Sequence, residues 1–247
     1  MNGQIEHWER LSVHPPDASV IDPRDTRGCK NRYITLLRNE TIVAAIARIA
    51  GGDRTPVLDF GCGTGGLSKA LVDAGRTVIG VDISGGLLAC AAQRELDASA
   101  MFLRYDGHRL PLADGSVADA VTYVVLNHIL DDADLAMSLA EVRRVLRPGG
   151  RFIAIEQVRS KRSLDLEVWQ CRRTRAEFTK LFESAGFAVE APVVLRYGRL
   201  PTTYAIRFGW IPDTLFAPFH RMERWLGRTI GVLPWDYCDV QFMMTKT

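Results

Sequence analysis

The chain has 247 residues, 47% of them hydrophobic and 24% charged, with 31 basic side chains against 29 acidic ones. At roughly 100–200 residues per domain this is one large domain or one domain with an elaboration, apolar enough to bury a core. The net charge of +2 removes the polyelectrolyte attraction on which broad nucleic-acid binding rests. The start, MNGQIEHWER, has no basic segment leading into an apolar one, so no signal peptide is expected. No apolar run approaches the ~18 residues of a membrane span, and IVAAIARIA is cut by Arg48. The five cysteines (Cys29, Cys62, Cys90, Cys171, Cys238) are scattered without a CxxC pair, which reads as reduced thiols in a cytoplasmic protein.

In chain order, residues 1 to about 29 read as loop, punctuated by Pro15-Pro16, Asp22-Pro23 and Gly28. From Lys30 to Ala50, Ile34, Leu37, Ile42, Ala45, Ile46 and Ile49 recur at helical spacing, and Gly51-Gly52 supplies a stop. Strands and helices then alternate. TPVLDF (55–60) is a strand leading through a glycine loop into a helix to about Ala74, and TVIGVD (77–82) a strand before a helix capped by Ser84 and running to about Leu96. MFLRYD (101–106), AVTYVVLN (120–127) and RFIAIEQV (151–158) are further strands. Asp131 or Asp132 opens a helix ending at Arg147, before Pro148-Gly149-Gly150. A helix at about 175–185, a strand at 187–195 and VQFMMTK (240–246) complete the pattern, which predicts an α/β fold with a mostly parallel sheet and helices on both faces. One stretch breaks it: between Arg199 and Trp235 lie Tyr204, Phe208, Trp210, Phe216, Phe219 and Trp225 among prolines and arginines. These aromatics form either a small subdomain core, or a lid over a pocket, or a face for a partner or a membrane surface.

In VLDFGCGTGG, Gly61, Gly63, Gly65 and Gly66 follow the first strand and precede a helix, where glycine permits a sharp turn and the helix start offers free N–H groups. The run satisfies both GxGxxG and GxGxG, and by itself does not choose between ligands. Asp59, two residues before Gly61, would repel a pyrophosphate and welcome a cation. Asp82 ends the next strand about 20 residues on, placed to accept both hydroxyls of a ribose. A carboxylate for a cation beside one for a ribose suits S-adenosylmethionine, which carries an amino group and a sulfonium.

VLDFGCGTGG, VIGVDIS, RYDGHRLPLADGSVADAV and EVRRVLRPGGRFIAIEQ resemble, in order and over about residues 55–190, the motifs of class I S-adenosylmethionine-dependent methyltransferases. The resemblance implies a Rossmann-like seven-stranded sheet whose last strand, VQFMMTK, is antiparallel and inserted between strands five and six. It also implies that residues 1–54 form a loop and helix closing over the cofactor, with the catalytic domain at 55–247 and an insertion at about 199–235. By the same resemblance Asp59, Gly61, Cys62 and Gly63 line the methionine part, Asp82 takes the ribose, and Ile83 lies against the adenine. Asp106 with Gly107 meets the adenine amino group, Leu126 and Asn127 border the cofactor, and Tyr33 in RGCKNRYI (27–34) approaches the sulfonium.

Methyl transfer is an in-line displacement, so the protein mainly positions the acceptor and removes a proton from a hydroxyl acceptor. His128, at the end of the fourth strand, is the candidate base; the alternative is a ring that fills space there. His108 reads as surface. Asp131, Asp132 and Asp134 are read as first-turn residues of a helix, and no metal is assigned. Arg159, Lys161 and Arg162 follow the fifth strand at the carboxyl edge, where an anionic acceptor would bind, unless they are a solvated face. VLNHI replaces the Asn/Asp-Pro-Pro-aromatic motif of amino-methylating nucleic-acid enzymes, and no Pro-Cys pair is present for cytosine-5 chemistry. The expected acceptor is a small molecule, with a sugar or glycan hydroxyl preferred and a quinone-like or lipid-like acceptor as the rival, since VLNHI and LPLADGSVADAV also resemble ubiquinone and menaquinone methyltransferases. An NAD(P)-dependent oxidoreductase and a non-catalytic binding protein are the alternatives of other classes, and a homodimer through 199–235 is left open.

Overall fold

In the computed structural model of the chain, residues 2–14, 16, 20–47, 55–94 and 96–247 are described. The first difference from expectation lies at the start, where α1 (Asn2–Leu11) is a helix in a segment read as loop. Its half-buried residues include Gln4, Trp8 and Leu11, which stand three or four apart, a period that the polar composition masks. Helix α2 (Cys29–Ala47) follows; the expected continuation to Ala50 and the Gly51-Gly52 stop lie outside the described residues.

Strands and helices then alternate: β1 (Val57–Phe60), α3 (Gly66–Asp73), β2 (Val78–Asp82), α4 (Gly85–Ala92), β3 (Ala100–Arg104), β4 (Val117–Tyr123), α5 (Asp132–Val145) and β5 (Leu146–Arg159). A short hairpin of β6 (Ser163–Asp165) and β7 (Gln170–Arg172), not expected from the sequence, leads to α6 (Arg175–Ser184). There Thr174 and Glu177 form a capping box. The expected strand at 187–195 is two strands, β8 (Phe187–Val189) and β9 (Val193–Tyr197), interrupted at Ala191-Pro192. Helices α7 (Pro201–Arg207) and α8 (Phe216–Ile230) fill the aromatic-rich stretch before β10 (Tyr237–Lys246).

The sheet runs β3-β2-β1-β4-β5-β10-β8, with β9 also paired to β10. Neighbours from β3 to β5 are parallel, and β10 is antiparallel to β5, β8 and β9. This is the Rossmann-like arrangement expected, with eight strands among the described residues because one strand is split. Both faces are covered, so strand residues alternate between two cores. Phe152 and Ala154 pack with Phe178, Phe182 and Phe242 on one side; Ile153 and Ile155 pack with Leu37, Leu67 and Phe216 on the other. Each fully buried Phe contributes about 1.5–3 kcal/mol.

Helix α8 lies on β9 so closely that a Cβ at Gly227 would stand 2.7 Å from that of Val194. Beneath it, Arg196 pairs with Asp239 at 3.0 Å, both almost fully buried. Its outward stripe of Arg221, Met222, Trp225 and Arg228 is exposed. The five cysteines are not joined by disulfides, and no described helix is long and apolar enough to cross a membrane. With the parallel strands aligned, the ends of β1, β2 and β4 converge on one edge of the sheet, where open α/β sheets bind ligands.

Candidate active site

At that edge, Gly61, Gly63 and Gly65 have φ of +73°, +53° and +73°, the left-handed region that glycine enters without strain. The Gly61 and Cys62 amides both donate to the Val81 carbonyl, at 2.8 and 3.0 Å, tying the loop to β2. A side chain at Gly61 would drive into the methyls of Val125, and a Cβ at Gly63 would stand 2.9 Å from Val20 Cγ1. Asp82 closes the loop: its Oδ2 accepts from Gly63 N at 2.9 Å and its Oδ1 from Ser84 N at 2.9 Å. Burial raises its carboxyl pKa, opposed by these amides. Asp59 lies beneath the loop, 2% exposed, and accepts from Ser68 Oγ at 2.6 Å. Burial pushes its pKa up to about 6 against the pull of Ser68 and Arg38.

The next wall is the turn after β4. Val124 has φ of +53°, which is costly for a β-branched residue. Two buried side chains hold it there. Glu156, fully buried on β5, accepts from Val125 N and Leu126 N on Oε1, at 3.1 and 2.9 Å, and from Asn127 N on Oε2 at 3.2 Å. Arg173, also fully buried, donates to the carbonyls of Leu126, Ile129 and Leu130 at 2.9–3.3 Å. A carboxyl group thus takes the N–H groups of the turn while a guanidinium takes its C=O groups. Burial lifts the Glu156 pKa to about 8, against the three amides and Arg173.

His128 stands at the end of this turn. Its Nδ1 lies 2.8 Å from the Trp169 carbonyl. A carbonyl oxygen only accepts, so Nδ1 carries the hydrogen and Nε2 keeps its lone pair. Trp169 itself has φ of +50°. Burial lowers the His128 pKa to about 4, with the charges of His7 and Arg172 adding to it and the bond to Trp169 opposing, so the ring is neutral near pH 7. Trp8 of α1 meets it edge-on at 4.8 Å. Helix α1 is fastened by Glu9, whose Oε1 and Oε2 accept from Gly85 N and Gly86 N at the start of α4, at 2.8 and 3.1 Å.

These elements enclose a cavity of about 820 Å³, its open mouth included. Gly61, Gly63, Asp82, Ile83, Gly107 and His128, all singled out in the sequence, line it together. Other expected residues are placed elsewhere. Tyr33 is 1% exposed, donates its hydroxyl to Glu223 Oε2 at 2.6 Å and packs edge-on against Phe216, so it fastens α2 to α8 and does not reach the cavity. Trp8 is the aromatic residue the N-terminal segment brings to the cavity. Asp59 and Cys62 lie under the loop, Leu126 is in the core, and Asn127 donates to the Gln157 carbonyl at 2.8 Å. Asp106 is exposed and accepts from His108 N and Arg109 N, which lower its pKa. Asp131 caps α5 and Asp132 pairs with Arg162 and Arg173, whereas Asp134 does line the cavity.

Sequence reasoning missed Trp8, Glu9, Tyr105, Tyr123, Glu156 and Arg173. One signal was available: Glu156 is the lone acid in the apolar run RFIAIEQV, and a charge at a buried strand position needs a partner.

Residues 58–154 match a methyltransferase domain family. A probable S-adenosylmethionine-dependent methyltransferase of Mycolicibacterium smegmatis is 31% identical over 90% of this chain and 82% of its own. A demethylmenaquinone methyltransferase of Beutenbergia cavernae is 40% identical over 49% of this chain and 47% of its own. The chain spans less than half the length of three of the first four curated relatives. Among solved structures, a SAM-dependent methyltransferase of Leishmania major superposes with a TM-score of 0.68 at 16% identity, over 99% of this chain and 82% of that one. With its glycine loop, its β2-terminal acid and a relative of 31% identity over nearly its whole length, the chain belongs to the class I S-adenosylmethionine-dependent methyltransferases.

Proposed function

We propose that the protein transfers a methyl group from S-adenosylmethionine to a small molecule whose reacting part is flat and largely apolar, a quinone-like or lipid-like acceptor. The residues present fit the cofactor. Ile83, Leu87 and Tyr105 offer apolar walls for a purine, Asp82 offers a buried carboxylate for the ribose hydroxyls, and the glycine loop leaves the space that side chains there would fill. The described lining contains Asp82 and Asp134 and no lysine or arginine. That charge balance favours a cationic ligand over a dinucleotide pyrophosphate, which weighs against the oxidoreductase alternative. When bound, the cofactor supplies a methyl group already activated by its sulfonium.

The observation that carries the acceptor reading is the neutral His128 among Trp8, Tyr123, Val124, Val125 and Ile129. A neutral imidazole takes a proton more readily from a phenol, quinol or enol than from an aliphatic alcohol, which is the weaker acid. Trp8, Val124, Val125 and Ile129 also offer apolar contact to a flat ring, beside the polar Gln4, Asp134 and Ser138. A saccharide acceptor, preferred on sequence alone, therefore has less support. His128 accepts the proton on Nε2, while Trp8 and the Val124–Val125 wall orient the acceptor and exclude water.

Calorimetry with S-adenosylhomocysteine and with NAD⁺ tests the cofactor. Methyl-labelled S-adenosylmethionine with a cell extract, partitioned between water and organic solvent, tests the acceptor. Label in the organic phase is expected. Label in water, lost on glycosidase treatment, would overturn the acceptor reading in favour of the sugar.

A further inference from the structure

Beyond the cavity, the carboxyl ends of β5 and β9 and the start of β10 gather an arginine group that the proposed chemistry does not use. The antiparallel register sets Tyr237 opposite Arg159, and Gly198 N donates to the Tyr237 carbonyl at 2.9 Å, which brings Arg199 to the same rim. The Tyr237 ring lies flat across Gly198, where any side chain would collide with it. The guanidinium of Arg172 lies over the same ring, 5.2 Å from its centre. The Arg172 Nε donates to Gln157 Oε1 at 3.1 Å. The Arg199 Nη1 is directed to the Trp235 carbonyl at 3.5 Å.

Among the described residues none of these three arginines makes an ion pair. The nearest acids are engaged. Asp236 is buried and accepts from Arg199 N and Tyr237 N, at 2.9 and 2.7 Å, and Asp165 accepts from Glu167 N and Val168 N. Burial holds Arg172 below the usual arginine pKa, opposed by Tyr237 and Asp165 and assisted by the like charges of Arg159 and Arg199. Arg159, Arg172 and Arg199 share this rim with no carboxylate ion-paired to any of them among the described residues, which leaves a positive site for an anion. The group also adjoins the reacting end of the cavity: Arg172 is three residues from Trp169, the partner of His128, and shares Gln157 with Asn127.

We propose that Arg159, Arg172 and Arg199, arranged around Tyr237, form an anion subsite that holds a carboxylate or phosphate carried by the acceptor. The acceptor is then an amphiphile, its flat apolar part against His128 and its anionic group at the rim. This rests on the cavity being the methyl-transfer site.

The test is calorimetric titration of inorganic phosphate at constant ionic strength, with the protein free and then saturated with S-adenosylhomocysteine. Saturable binding is expected in both states. Arg172→Gln and Arg159→Gln should each weaken it at least tenfold, with Arg172→Lys between, while Arg221→Gln on the exposed stripe of α8 leaves it unchanged. S-adenosylhomocysteine affinity should stay within twofold throughout. Circular dichroism identifies a variant that does not fold, in which case Arg199→Gln replaces it. Unsaturable phosphate uptake, or equal uptake by Arg172→Gln, overturns the subsite. Failure of S-adenosylhomocysteine to bind overturns the cofactor reading alone, since the titration of the free protein still reports on the arginines. Sedimentation with phosphatidylglycerol vesicles distinguishes the source of the anion. Arg172-dependent vesicle binding assigns a lipid headgroup, and phosphate binding without it assigns a free acceptor.

Discussion

Replacing Glu156 by Gln tests how the turn that presents His128 is held. The carboxyl is fully buried and its pKa rises from the ordinary 4.5 to about 8. Between those values the folded protein keeps a proton that the unfolded chain has released. Stability from this group is therefore complete below about pH 4.5 and is lost as pH rises through 8. At about 1.36 kcal/mol per pH unit, a shift of some 3.5 units amounts to about 5 kcal/mol across the window. Gln mimics the protonated acid and does not titrate, so every other ionisable group cancels in the difference between the two proteins. Urea unfolding at pH 5, 6, 7 and 8 should show wild type losing stability relative to Glu156→Gln by about 1.4 kcal/mol per unit. A flat difference would refute the reasoning. It would mean that the amides of Val125, Leu126 and Asn127 hold Glu156 as an anion at its ordinary pKa, and that the cradle outweighs burial.

Other outcomes follow from the same geometry. His128→Ala should reduce turnover at least a hundredfold while S-adenosylhomocysteine affinity, read by calorimetry, changes less than threefold; unchanged turnover would remove His128 as the base. Because its folded pKa of about 4 lies below the unfolded 6.5, His128 contributes stability above pH 6.5 that is lost as pH falls towards 4, about 3 kcal/mol in all. His128→Phe should flatten that acid limb in a pH series of melting curves. Gly61→Ala imposes a φ of +73° on alanine and pushes its methyl into Val125, and should weaken S-adenosylhomocysteine binding at least tenfold. Glu9→Gln replaces charge-assisted bonds to Gly85 and Gly86 by one neutral acceptor, a loss of about 1–2 kcal/mol in the docking of α1. Faster amide exchange over Asn2–Leu11 and a faster cofactor off-rate should accompany it, and unchanged exchange would show that Trp8 alone holds the helix.

What the sequence discloses about this molecule follows from how local each signal is. The glycine loop and Asp82 are legible because a strand, a turn of left-handed residues and a helix start occupy consecutive positions, so the chemistry is written in adjacent letters. His128 is legible for the same reason, standing just beyond an apolar strand. Tyr33 was misplaced because a tyrosine on an amphipathic helix has the same local pattern whether it faces a ligand or a distant glutamate. Only Glu223, 190 positions away, decides between them. Glu156 and Arg173 were missed as a pair because neither touches the cavity. They act on the backbone of residues 125–130 from a strand and from the far end of a hairpin, and the need for them arises only from Val124 at φ +53°. That strain has no letter of its own: valine in VVLNHI reads as strand, and its β-branch opposes the turn it makes. Two buried groups, a carboxyl that accepts and a guanidinium that donates, hold a loop that local preference would straighten. The cost is borne at the one position where His128 must leave the sheet edge and face the cavity. The part of the site hardest to read from sequence is therefore the part that sets where its proposed base points.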